Sequence, residues 1–143
     1  MLTSLGRLLD DGTEGVSRKA IGAAIDVHRK LGPGLLESAY KMPLVWALQE
    51  RGLQVVCEKP LALEYGGRAV SAAYYIDFVV NDVLIIETKV IEQILPVHVA
   101  QVQTYLKLSR YKVGLLINFN VRILRYGIRR IFHPHLRRTP ARP

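Results

Sequence analysis

The segment YIDFVVNDVLIIETK, from Tyr75 to Lys89, sets two acids and a base, Asp77, Glu87 and Lys89, among apolar and β-branched residues. Charges in such company are costly unless they pair or bind an ion. Two carboxylates and an ammonium on one patch of a sheet can hold a divalent cation and position a water beside it. Asp77 and Glu87 are ten positions apart and Lys89 follows Glu87 by two, so the chemistry depends on how two short strands pair.

Side chains along a strand alternate between faces with a period of two. A two-residue Asn81-Asp82 turn would pair Val80 with Val83 and Asp77 with Ile86, which throws Glu87 onto the opposite face. A three-residue or bulged turn over Asn81, Asp82 and Val83 instead pairs Val80 with Leu84 and Asp77 with Glu87. The odd register is therefore predicted. In it Asp77, Val79, Ile85, Glu87 and Lys89 share one face, and Ile76, Phe78, Val80, Leu84 and Ile86 line the other. Apolar residues on both faces predict an α/β fold whose central sheet is covered by helices.

The elements around this pair follow from periodicity. Thr13 and Glu14, then Val16, Ala20, Ala24, Val27 and Leu31, predict a first helix ending at Gly32, with Ile21, Ile25 and His28 widening its apolar face. His28 reads as a packed or capping histidine, since nothing near it supplies a metal set. After the Gly32-Pro33-Gly34 break, Leu36, Tyr40, Leu44, Ala47 and Leu48 mark a second helix up to Gly52. Pro43 inside it should kink or loosen the helix just past Tyr40. LQVVCE, LALEY, a Gly66-Gly67 hairpin turn and RAVSAAY lead into the Asp77–Lys89 strands. A helix from about Pro96 to Leu108 and the strands VGLLINF and VRILRY complete the domain. HPHLRRTPARP reads as a disordered tail whose His133 and His135 are solvated.

Two helical constellations can join the strand site. Glu37 and Tyr40 lie three apart on the second helix, and Gln101 and Tyr105 four apart on the later one, with His98 one turn earlier. A carboxylate at Glu37 also complements the positive end of its helix.

A length of 143 residues suits one domain, residues 1–132, followed by a basic tail, residues 133–143. Cys57 is the only cysteine, which excludes an internal disulfide and a cysteine-rich zinc site and makes a cytoplasmic setting the default. No apolar run approaches the ~18 residues of a membrane span, and the N-terminus lacks the pattern of a secretion signal. The net charge of +8 is concentrated after Asn120 in Arg122, Arg125, Arg129, Arg130, Arg137, Arg138 and Arg142, with no acid among them. Such an end can grip phosphates, although arginine-rich ends also serve plain solubility.

Over most of residues 15 to 131 the chain resembles the bacterial GxxExxY proteins, a branch of the PD-(D/E)XK nuclease superfamily. Gly34, Glu37 and Tyr40 fill the name motif, Asp77 with Glu87-Thr88-Lys89 matches the D…E-x-K core, and Gln101-Val102-Gln103-Thr104-Tyr105 matches a Q-x-x-x-Y element. The resemblance implies a restriction-endonuclease-like core, a mixed central sheet flanked by helices. It also implies a metal-dependent nuclease that hydrolyses phosphodiester bonds, with DNA favoured as substrate. On that likeness Asp77, Glu87 and the carbonyl of Thr88 bind Mg2+ or Mn2+, and Lys89 holds or polarises the attacking water. Glu37 binds the metal through water or completes a second site, and Gln101 orients Glu87 or the nucleophile. Tyr40 and Tyr105 pack or bond behind them. Arg122, Arg125, Arg129, Arg130, Arg137 and Arg138 supply grip on the nucleic-acid backbone. Pro43 and the HPHLRRTPARP extension depart from the family pattern.

A catalytically inactive nuclease-fold module that binds nucleic acid or a protein partner is the alternative, and a homodimer is compatible with either. Retention of Asp77, Glu87 and Lys89 argues against the inactive module, because clustered carboxylates repel phosphate. A third reading keeps the site as a buried ion pair of structural value alone.

Overall fold

The structure, a computed structural model, describes residues 12–136. Helices α1 (Thr13–Leu31) and α2 (Glu37–Glu50) precede a long hairpin of β1 (Val55–Tyr65) and β2 (Arg68–Val80). Strand β3 (Leu84–Lys89), helix α3 (Pro96–Leu108), strand β4 (Val113–Asn118), a 3-10 turn (Leu124–Gly127) and strand β5 (Ile128–Phe132) follow. The five strands form one mixed sheet in the order β1-β2-β3-β4-β5. Only β3 and β4 pair in parallel. Parallel neighbours need a crossover long enough to return the chain to the same end of the sheet, and α3 supplies it.

Helices cover both faces, as the apolar residues on both sides of the central strands require. Phe78, Val80, Leu84, Ile86, Leu115 and Ile117 pack with Ala20, Ala24, Tyr40, Leu44 and Leu48 of α1 and α2. On the other face Val79, Ile85 and Leu116 pack with Val102, Tyr105 and Leu106 of α3. Helix α3 approaches closely because β4 offers Gly114, where a Cβ would stand only 2.6 Å from Cγ1 of Val102. No helix among the described residues is long and apolar enough to cross a membrane.

The helix expectations agree with the structure at Gly32 and over Pro96–Leu108. Helix α2 runs unbroken through Pro43, so any loosening there does not interrupt it. LQVVCE and LALEY join as a single strand, with Glu58 in a left-handed conformation (φ 52) and a register shift between Leu61 and Leu63. Pro60 is tolerated because β1 is an edge strand. The Gly66-Gly67 turn joins Tyr65 to its partner Arg68 with both glycines at positive φ, which a two-residue hairpin of this kind demands.

Two expectations are corrected. VRILRY is not a strand: β4 ends at Asn118 and Ile117 pairs with Ile128, so the intervening residues must reverse the chain and do so through bends and the 3-10 turn. Gly127 closes that reversal against the Asn118 carbonyl, where a Cβ has no room. Ile76, expected beside Phe78, packs instead with Leu61, Val79 and Ile85. The pairs Cys57↔Phe78 and Lys59↔Ile76 on either side of the left-handed Glu58 keep one register.

Candidate active site

The turn between β2 and β3 sets the register on which the site depends. Asn81 and Asp82 both take left-handed conformations (φ 49 and 55), which short polar side chains tolerate, and the Val83 N–H donates to the Val80 carbonyl. The Gln54 N–H donates to the Asn81 side chain, and Asp82 accepts from the Tyr111 hydroxyl and the Arg110 guanidinium. The resulting pairs are Val80↔Leu84, Val79↔Ile85 and Phe78↔Ile86, the odd register. The ladder stops one step short of Asp77 and Glu87.

At that point the Asp77 side chain takes over the work of a strand. Its Oδ2 accepts from the Thr88 N–H at 3.0 Å and from the Thr88 hydroxyl at 2.8 Å, both buried. Its Oδ1 lies 3.4 Å from Nζ of Lys41, which reaches in from α2. The same ammonium stands 3.7 Å from Glu58 and 3.8 Å from Glu37. Lys41 is thus the hub of three carboxylates. One turn of helix separates it from Glu37, a spacing visible in the sequence. Glu58 enters through the β1–β2 register and carries no sequence signal.

Glu87 is 5 % exposed, and its Oε2 is buried without a hydrogen-bond partner. Its Oε1 lies 3.6 Å from Nζ of Lys89, two residues on and on the same face. Burial, followed by the charge of Asp77, pushes the Glu87 carboxyl up to about 8, and the opposing pull of Lys89 does not offset them. Thr88 is fully buried, and the Phe119 N–H donates to the Lys89 carbonyl, which fixes the end of β3 beside β4.

The helical candidates divide. Gln101 donates to the Tyr105 hydroxyl at 2.8 Å, so its amide engages that ring and makes no hydrogen bond to Glu87. Burial, then the nearby charge of Glu87, raises the Tyr105 phenol to about 12. His98 caps α3, its Nδ1 accepting from the Leu95 N–H. Tyr40 lies away from the acids, fully buried and stacked on Phe119 at 4.5 Å. Its hydroxyl donates to the Gly32 carbonyl at 2.6 Å and accepts from the Leu35 N–H, tying down the loop that delivers Glu37 to the first turn of α2. His28 donates from Nε2 to the Val121 carbonyl at 2.6 Å, as a packed histidine would.

The basic residues also divide. Arg129 pairs with Leu116, itself the partner of Glu87, so the three lie in one row across the sheet, with Arg129 about 10 Å from Glu87 at the usual strand spacing. Arg130 pairs with Leu115 and so faces α1, where it meets Ser17 at 3.1 Å and Glu14 at 3.7 Å. Arg130 is therefore engaged within the fold. Arg122 and Arg125 are exposed and line a groove against Arg29 of α1. Arg137, Arg138 and Arg142 lie outside the described residues.

Among the described residues no group of three or more His, Cys, Asp or Glu side chains forms a ready metal cage. Magnesium seldom needs one, because it keeps several waters and is commonly held by one or two carboxylates with substrate oxygens. The donors here are all oxygen, the buried Oε2 of Glu87 lacks a partner, and a divalent ion would take the place of the proton that burial holds on Glu87. The residues present fit such an ion.

No curated protein and no solved structure matches the chain. A profile of the PD-(D/E)XK nuclease superfamily matches residues 14–131, a span from the first turn of α1 to β5 that contains Asp77, Glu87 and Lys89. That match covers most of the chain, and the chain belongs to the PD-(D/E)XK nuclease superfamily.

Proposed function

We propose that this domain is a metal-dependent nuclease of the GxxExxY type, hydrolysing phosphodiester bonds of nucleic acid, with DNA the favoured substrate. One observation carries the reading: Glu87 is a desolvated carboxylate with an unpartnered buried oxygen, set beside Asp77 on the end of adjacent strands. Ionising an acid held this way without an ion is costly, and burial of that kind concentrates at functional sites.

Mg2+ or Mn2+, held by Asp77, Glu87 and the Thr88 carbonyl, would supply Lewis acidity toward a phosphoryl oxygen and acidify a bound water. Thr88 fixes Asp77 through two hydrogen bonds to Oδ2, so the other oxygen, which faces Lys41, is aimed before substrate arrives. Lys89, leaning on Glu87, presents an ammonium that holds the attacking water and offsets charge as the phosphorus becomes crowded. Gln101 and Tyr105 close the α3 side of the site and limit water there. Arg129, in the row of Glu87, and Arg122 with Arg125 at the groove along α1 contact neighbouring phosphates without reading sequence. A reducing, cytoplasmic setting suits the single exposed Cys57.

The second reading, a silent nuclease-fold module that binds nucleic acid or a protein partner, is favoured by the ion pairs of Lys41, which already neutralise part of the acid cluster, together with the lack of a cage of three metal-binding side chains among the described residues. Incubation with single- and double-stranded DNA and RNA in Mg2+, Mn2+ or chelator, beside Glu87→Ala, separates the two. Breakdown that needs both metal and Glu87 supports the nuclease. Intact strands in every lane, with binding unchanged in chelator, establish the silent module.

A further inference from the structure

Asp77 has two oxygens, and the fold has already spent one of them. Oδ2 is held by the N–H and hydroxyl of Thr88, both buried, so the oxygen that remains for an ion is Oδ1. That oxygen is where Lys41 sits, at 3.4 Å. A divalent ion bound at that oxygen would stand close to the ammonium, and two like charges at such a separation repel.

We propose that Lys41 is a tethered cation occupying the metal's place on Asp77, which must withdraw to the rim acids Glu37 and Glu58 for the ion to enter. This rests on the metal reading above. The geometry supplies both stations. On the inner side stands Asp77, with a side chain only 10 % exposed; on the outer side stand Glu37 and Glu58, 42 % and 59 % exposed, each already within 4 Å of the ammonium. The charged groups around Lys41 come from four elements, namely Glu37 of its own helix, Glu58 of β1, Asp77 of β2 and Glu87 of β3. A lysine suits the role because its charge is compact and rides on a flexible four-carbon stem. Without an ion it keeps Asp77 from standing as a bare buried charge. With one, it remains at the rim as a positive group beside the path a phosphodiester takes.

A Mn2+ titration without nucleic acid, following free Mn2+ by electron paramagnetic resonance, tests this in wild type, Lys41→Met, Lys41→Arg and Glu87→Gln. Removing the resident ammonium is expected to tighten Mn2+ binding by up to about fivefold, given what partly exposed ion pairs contribute, while Lys41→Arg stays near wild type and Glu87→Gln binds far more weakly. Lys41→Gln replaces Lys41→Met if the latter does not fold. A structural ion pair alone would lower the melting temperature of Lys41→Met without tightening Mn2+. Equal or weaker binding in Lys41→Met, with Glu87→Gln still impaired, overturns the role of Lys41 and leaves the metal reading standing. Absence of Glu87-dependent binding in wild type and Lys41→Met alike overturns the metal reading and this inference with it.

Discussion

Replacing Glu87 by glutamine should flatten the pH dependence that burial imposes on the metal-free fold. In the unfolded chain this carboxyl titrates near 4.5, and in the fold it is pushed up to about 8, burial being the main cause. Between those values the folded state holds a proton that the unfolded state has lost, so stability falls as pH rises. The contribution is present in full below 4.5 and gone once pH passes about 8. The whole span, at about 1.36 kcal/mol per pH unit, is roughly 5 kcal/mol, and the interval from pH 5 to pH 8.5 covers at most about 4 of it. Glutamine keeps the shape and has no proton to lose. Urea unfolding of wild type and Glu87→Gln at both pH values, in chelator, isolates the effect, because other titrating groups cancel in the comparison. Wild type should lose several kcal/mol more than the variant between pH 5 and pH 8.5. Parallel losses in the two proteins would refute the claim that Glu87 is a strained, desolvated acid.

Three further substitutions probe the supports of the site. Thr88→Val keeps the volume but removes one of the two bonds to Asp77 Oδ2, and should cost about 1–3 kcal/mol in unfolding experiments. Tyr40→Phe removes the hydroxyl that fixes the Gly32–Leu36 loop; a loss of about 1 kcal/mol should come with faster amide exchange at Leu35, whose N–H donates to that hydroxyl. Gly114→Ala drives a methyl into Val102 and should lower stability by about 1–3 kcal/mol as α3 is pushed off the sheet. A thermal melt showing Gly114→Ala as stable as wild type would mean that α3 is not seated as closely as described.

Much of this architecture was legible in the sequence, and the reasons are local. The odd register follows from asking that two acids act together, and Asn81 and Asp82 are residues that tolerate the left-handed turn it needs. The two glycines of the β1–β2 turn and the 3.6-residue spacing in α1 and α3 are equally direct signals. What escaped depends on contacts between distant segments. Lys41 pairs with Glu37 at a helical spacing that can be read, but its meeting with Asp77 and Glu58 requires α2 to lie over the end of the hairpin. The β-branched look of VRILRY suggests a strand, yet β4 and β5 can pair only after the chain has turned back, and Gly127 marks where it does. Arg130 looks like its neighbour Arg129 in sequence, while strand alternation sends the two to opposite faces, one toward α1 and one into the row of Glu87.

The most direct test of the account is a crystal structure grown with Mn2+, in which anomalous scattering locates the ion. A single Mn2+ bonded to both Asp77 and Glu87, with Lys41 drawn back to Glu37 and Glu58, is the predicted result. Saturating Mn2+ that leaves the Lys41–Asp77 pair intact and Glu87 without an ion would contradict it.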